Sequence, residues 1–156
     1  MIDTNIVRLE NKRIDELEAT MIDFMEPIVV PVKHLFTNGM YIREVTIPAG
    51  SLLTSKIHKT EHPFTISKGK VMVMADGDWT ELTAPYTGIT KAGTRRIVLV
   101  LEDCVWTTYH KYNGLKGTEN DLTLAQQDKI ADRIEARIIQ KHHNRLINRR
   151  KSIWHG

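Results

Sequence analysis

Hydrophobic positions along the chain change their period twice, which divides it into a helical stretch, a β stretch and a second helical stretch. Between about Ile6 and Met25, Leu9, Ile14, Leu17, Met21 and Phe24 return at helical spacing, with Glu10, Lys12, Arg13, Asp15, Glu16 and Glu18 between them. That is the stripe of an amphipathic helix, and Pro27 ends it because the residue before a proline is pushed out of the α region. From Ile28 to about Tyr112 the apolar residues fall instead into short runs, at 28–35, 41–47, 52–58, 64–67, 70–75, 79–83, 87–90, 96–101 and 105–110. The breaks are turn chemistry: Asn38-Gly39, Pro48-Ala49-Gly50, Lys68-Gly69, Asp76-Gly77-Asp78, Lys91-Ala92-Gly93 and Glu102-Asp103. Short strands at such regular spacing, with no helix among them, predict a sandwich or barrel of the jelly-roll kind.

The helical period returns after the polar residues 118–121. Thr123 and Gln126 have the spacing of a capping box, in which hydroxyl and amide satisfy backbone N–H groups left over at a helix start. Ile130, Ala131, Ile134, Ile138 and Ile139 form a stripe that Leu146 and Ile147 extend toward about Arg150. The expected organisation is mainly β: a helical arm at 1–27, a small β-barrel at 28–117, and a long basic C-terminal helical arm at 118–156. A chain of 156 residues supports one such core and not two.

Charge sharpens this division. Residues 129–156 hold eight of the 22 Lys and Arg against two of the 19 acids, a net +6; the remaining 14 cations face 17 acids elsewhere. Cys104 is the one cysteine, so no intrachain disulfide and no thiolate-rich metal site can form. No apolar run reaches the roughly 18–20 residues that cross a bilayer, and Met1 to Arg13 lacks the apolar centre of a signal peptide. The expectation is a soluble protein without a membrane partner, kept inside the cell that makes it.

The stretch from Pro48-Ala49-Gly50 to Gly69 resembles the first motif of the cupin family, in which a glycine precedes an HxH pair, an acid, and a glycine seven residues further on. His62 stands seven residues before Gly69, where the motif has its acid. His58 takes the place of the second motif histidine and Lys56 that of the first. Lys91-Ala92-Gly93-Thr94-Arg95-Arg96 resembles the second motif, with Arg96 at its histidine position. The resemblance covers about residues 28–112 and implies a cupin-like barrel in which two of four usual ligand positions carry cations. A narrower resemblance, to small cupin-fold proteins of tailed bacteriophages and prophages, rests on His58-Lys59-Thr60-Glu61-His62, Ala84-Pro85, Gly93-Thr94-Arg95-Arg96, Leu101-Glu102-Asp103, Val105-Trp106-Thr107-Thr108 and His110. It implies a phage origin.

Two chemistries fit a barrel so equipped. His58, His62 and His110 could converge from strand ends at its mouth, and three neutral imidazoles plus water make an open site for zinc or a similar metal, with Glu61 or Glu44 adding a carboxylate. Arg96 and its neighbours would repel such an ion, so no cofactor is the first expectation and a divalent metal the alternative. Without a metal, Lys56, Glu61, Arg95 and Arg96 could bind a carboxylate, phosphate or sugar acid, since arginine donates two parallel hydrogen bonds to such groups. Trp106 and Tyr109 are expected to pack inside the barrel.

The arms suggest a third role. Ile130, Ile134 and Ile138, with Arg145, Arg149, Arg150 and Trp154, are expected to dock a partner, because long apolar stripes cannot all be buried on one small barrel. The favoured expectation is a phage structural protein of the capsid or head–tail region, assembled in the bacterial host cytoplasm and located in the virion, joined to copies of itself or to other virion proteins. The alternative is a metal-dependent cupin enzyme or a binder of small polar ligands. The basic segment from Lys141 to Lys151 could also hold nucleic acid phosphates.

Overall fold

The computed structural model describes residues 12–17, 19–20, 30–55, 58–75 and 77–134. Among these residues, seven antiparallel strands form one bent sheet: β1 (Val32–Thr37), β2 (Gly39–Ile47), β3 (Leu52–Thr54), β4 (His62–Ala75), β5 (Asp78–Thr83), β6 (Tyr86–Thr90) and β7 (Ile97–Tyr112). Residues 12–17 and 19–20 are helical, and α1 (Leu124–Ile134) follows the sheet after one 3-10 turn at Glu119–Asp121. The mainly β, antiparallel architecture is the one the turn spacing predicts.

Two of the strands are longer than expected. The runs at 64–67 and 70–75 belong to one strand, β4, and those at 96–101 and 105–110 to another, β7. Lys68-Gly69 and Glu102-Asp103 bend these strands instead of ending them, because the β4–β7 register slips by bulges between Ile66 and Val71. Gly69 makes the bend possible: it has φ +94°, and a Cβ there would lie 2.3 Å from the carbonyl oxygen of Asp103.

The bend gives β4 and β7 different neighbours along their length. Past it, β7 pairs β3, β4 pairs β5, and the two pair each other through Val71–Val100 and Val73–Val98. Before it, β1-β2-β7-β4-β6 lie side by side. Val45, Ile47, Phe64 and Ile66 from the wide half meet Val71, Val73, Val98 and Val100 from the narrow half in one buried cluster, closed by Cys104. Burial pushes the Cys104 thiol up to about 11, since no charge partner offsets the loss of water around a thiolate.

A second cluster forms where α1 crosses β1 and β2: Phe36, Tyr41 and Ala131, with Tyr112, Leu115, Ile130 and Ile134 against them. The capping box starts this helix as expected. Gln126 N–H donates to the Thr123 hydroxyl at 3.3 Å, and Thr123 N–H donates to the Gln126 side-chain carbonyl at 3.0 Å. The described helix spans 11 residues; its expected run toward Arg150 lies outside the described residues. Among the described residues, no helix is long and apolar enough to cross a membrane.

Candidate functional site

Because side chains alternate across a strand, the register of the wide half decides what faces the core of the bent sheet. Val32, Val45, Trp106, Ile66 and Tyr86 form one cross-strand row, and His34, Arg43, Thr108, Phe64 and Gly88 the next. One step further, Phe36, Tyr41 and His110 are paired, as are His62 and Thr90. The Phe64–Thr108 pair, continued by two residues, sets His62 beside His110. All five residues of that last row are buried. The interior is therefore apolar near the bend and carries a polar band between the two apolar clusters.

Three of the expected site residues meet in that band. The His62 ring lies 4.3 Å from His110 and 4.7 Å from His58, centroid to centroid, so His62 stands between the other two. His62 and His110 are 3% and 4% exposed. His58 arrives from the loop after β3: its N–H donates to Thr94 O at 3.2 Å, and Gly93 N–H donates back to His58 O at 2.9 Å. This ties the first motif to the second. His62 Nδ1 lies 3.0 Å from Thr60 O, an acceptor only, which assigns the proton to Nδ1 and makes Nε2 the lone-pair nitrogen of the neutral ring. His110 Nε2 lies 2.9 Å from the Thr108 hydroxyl.

Arg95 and Arg96 divide their work. Arg96 turns its guanidinium over the Phe64 ring, 4.8 Å from the centroid, and stands 6.0 Å from that of Trp106; the two rings stack at 4.7 Å. Its backbone N–H donates to Ser55 Oγ at 2.7 Å. Phe64 follows His62 on the same face of β4, so this cation borders the histidines. Arg95, one of the expected ligand-binding residues, is turned toward the N-terminal helical segment. It is 7% exposed, donates Nε–H to Ser55 O at 3.2 Å, and forms an ion pair with Asp15 of the N-terminal helical segment. Arg96 has the parity of the core residues Val98 and Val100 at the start of β7, and Arg95 has the other.

The remaining candidates are scattered. Glu61 is exposed, and Glu44 lies on the outer face, opposite Lys33 and Thr107. Tyr109 also faces outward, since it has the opposite parity to Trp106 and His110. Lys56, Ile138, Arg145, Arg149, Arg150 and Trp154 lie outside the described residues. Ile130 and Ile134, expected to dock a partner, pack against the cluster that Phe36 and Tyr41 of the chain's own sheet form with Ala131. Among the described residues, no group of three or more His, Cys, Asp and Glu has the geometry to hold a metal ion.

The polar band reaches further than the motifs suggested. Tyr41 stacks on His110 at 5.6 Å and on His34 at 5.7 Å, which continues the row of rings from His58 to β1. His34 Nε2 lies 2.6 Å from Asp128 Oδ1 of α1, and Nδ1 lies 2.6 Å from the Tyr41 hydroxyl. A carboxylate only accepts, so Nε2–H donates to it, and in the neutral ring Nδ1 accepts the phenol proton. His34, Tyr41 and Arg43 were legible in principle. Lys33, Leu35 and Thr37 alternate with His34 and Phe36, and Tyr41, Arg43, Val45 and Ile47 share the other parity of β2. Nothing local to Asp128 marks it as their partner, 94 residues from His34.

Glu119 anchors the return from β7 to α1. It is 3% exposed, and its carboxylate accepts from Lys116 N–H at 2.7 and 2.9 Å and from Thr118 N–H at 3.2 Å. The Lys116 bond, followed by those of its neighbours, holds the Glu119 carboxyl below the ordinary glutamate value, against an opposing effect of burial.

No protein-family profile matches the chain, and no curated protein matches it. Similar solved structures include a cupin-superfamily protein of Desulfitobacterium hafniense, 11% identical over 57% of this chain and 84% of its own, with a TM-score of 0.46. An RmlC-like cupin family protein with a double-stranded β-helix fold, from Methanocaldococcus jannaschii, is 10% identical over 56% of this chain and 84% of its own, with a TM-score of 0.47. KdgF from Halomonas sp. is 13% identical over 56% of this chain and 86% of its own, also with a TM-score of 0.47.

Proposed function

We propose that the barrel binds a small anionic ligand, a carboxylate or sugar acid, between its imidazole row and the guanidinium of Arg96. The observation that carries this reading is the ring contact of His62 with both His58 and His110, at two positions almost fully withdrawn from water. Burying polar rings beside a cation is unfavourable unless their donors are used, and the two carboxylates that the sequence offered for this site, Glu44 and Glu61, lie on the outside. A guanidinium binds a carboxylate through two parallel N–H donors, and an imidazole beside it whose one N–H is already bonded, as that of His62 is to Thr60 O, adds a further donor only in its doubly protonated form.

A second reading, a first-row metal on the same histidines, is supported by the His62 tautomer, because a bond from Nδ1–H to a carbonyl is how metal-ligating histidines are commonly oriented. Arg96 and the donor geometry of the described residues weigh against it. Docking into a phage virion through Ile130 and Ile134 has less support, since both side chains lie against the barrel itself.

Titration calorimetry of protein purified without chelator, against a panel of sugar acids and dicarboxylates, tests the proposal. Binding by at least one compound that weakens about tenfold or more in Arg96→Gln and in His62→Gln supports it; a tenfold loss is about 1.4 kcal/mol. Stoichiometric zinc, iron or nickel in the same preparation, lost in His62→Gln and retained in Arg96→Gln, refutes the anion reading in favour of the metal.

A further inference from the structure

The same register that fills the barrel also composes its outer surface, and there it assembles something the interior does not explain. Leu35 pairs with Ile42, Ile42 with Tyr109, and Pro63 with Ile89. Tyr109 and Pro63 stand one residue beyond the Phe64–Thr108 pair. Five apolar side chains thus run in one straight row across β1-β2-β7-β4-β6 on the face turned away from the core, with Met40 beside it. Leu35 is 39% exposed, Met40 39% and Ile89 57%. The neighbouring outward row is polar throughout: Lys33, Glu44, Thr107, Thr65 and Thr87.

We infer that this sheet face is an interface between two copies of the chain. An apolar row with an aromatic side chain at its centre and a hydroxyl-rich border has the anatomy of a protein interface. The two borders carry both signs, with Lys33 facing Glu44 on one side and Lys111 opposite Met40 on the other; a strongly charged partner such as a nucleic acid finds no single-sign field. A straight row is unchanged by a two-fold rotation about an axis along it, so a second copy presents the same five side chains, apolar on apolar. Five strands about 4.8 Å apart and three rows of side chains give a patch of roughly 24 by 20 Å, about 480 Å² for each partner, the size of a small and weak interface. Two such faces pack about 10 Å apart with strands near −30°.

This inference does not depend on the ligand reading, because the row points out of the barrel. The test is size-exclusion chromatography with light scattering on the full chain at about 50 µM, where a micromolar dimer is mostly associated. The unaltered protein should elute at dimer mass. Leu35→Glu combined with Ile89→Glu should elute at monomer mass, with a dissociation constant raised at least about 100-fold and an unchanged circular-dichroism spectrum. Leu124→Glu, at an exposed position on α1 away from the row, should remain dimeric. Hydrogen exchange of the unaltered chain gives an answer independent of the variants' folding: amides of β6 and of 107–111 should gain protection as concentration rises from about 1 to 100 µM. An unaltered chain at monomer mass, concentration-independent exchange, or a dimer that survives both glutamates overturns the inference and leaves the row to residues 135–156 or to a different protein.

Discussion

Replacing Asp128 with Ala asks whether α1 is held on the barrel by one buried imidazole. The His34 side chain is 1% exposed and Asp128 54%, with 2.6 Å between Nε2 and Oδ1. A hydrogen bond to a charged group contributes about 1.5–3 kcal/mol. The half-exposed carboxylate keeps much of its hydration, so its share falls toward about 1 kcal/mol. The substitution also strands an imidazole N–H in a largely dry site, which costs about 1 kcal/mol more. Asp128→Ala should therefore destabilise by roughly 1.5–2 kcal/mol, or about 3–8 °C in Tm for a chain of this length. His34→Phe removes the bond while keeping a ring of similar volume, and in that background Asp128→Ala should have almost no effect. Guanidinium denaturation followed by far-ultraviolet circular dichroism at the four corners of the cycle gives the coupling directly, and about 1.5–2 kcal/mol is expected. A coupling below about 0.3 kcal/mol would refute the reasoning and assign the helix to Ala131, Ile130 and Ile134 alone.

Three further outcomes follow from the same contacts. Gly69→Ala should destabilise by more than about 3 kcal/mol, because it adds a Cβ against the Asp103 carbonyl as well as a strained φ, whereas Gly50→Ala, with φ +85° and open space around it, should lose only about 1–2 kcal/mol in a thermal melt. Native Cys104 should resist a disulfide reagent at pH 8, where a thiol of pKa about 11 is about one part in a thousand thiolate, and should react within seconds once unfolded by urea; prompt reaction of the folded protein would contradict its burial. Since the folded Glu119 carboxyl lies below its unfolded value, its stabilisation is complete above the ordinary glutamate range and disappears as pH falls through the folded value; Glu119→Gln should flatten the acid limb of a stability–pH curve, and an unchanged limb would remove Glu119 as its source.

How far the sequence could be read differs from element to element. The apolar runs at 41–47 and 105–110 gave strands, Thr123 and Gln126 gave a helix start, and the motif spacing put His58 and His62 near one another, whereas the contact of His110 with His62 depends on the β4–β7 register. Arg95 and Arg96 were indistinguishable by spacing. Which of two successive cations enters a barrel is a matter of parity, and parity needs a register. Lys68-Gly69 and Glu102-Asp103 looked like strand ends for a similar reason: a bulge and a turn use the same residues, and only the partner strand distinguishes them.

Local chemistry was thus determined by the sequence alone: which segments extend, which coil, where glycine is required, and that imidazoles and cations gather around the loops at 58–62 and 93–96. The tertiary structure decided every pairing made at long range. It brought Asp15 to Arg95 and Asp128 to His34, and it lined up Leu35, Ile42, Tyr109, Pro63 and Ile89 from five strands on one outer row. The physical reason is that periodicity specifies a face within one element, whereas a contact between elements depends on how the strands align once the chain has closed.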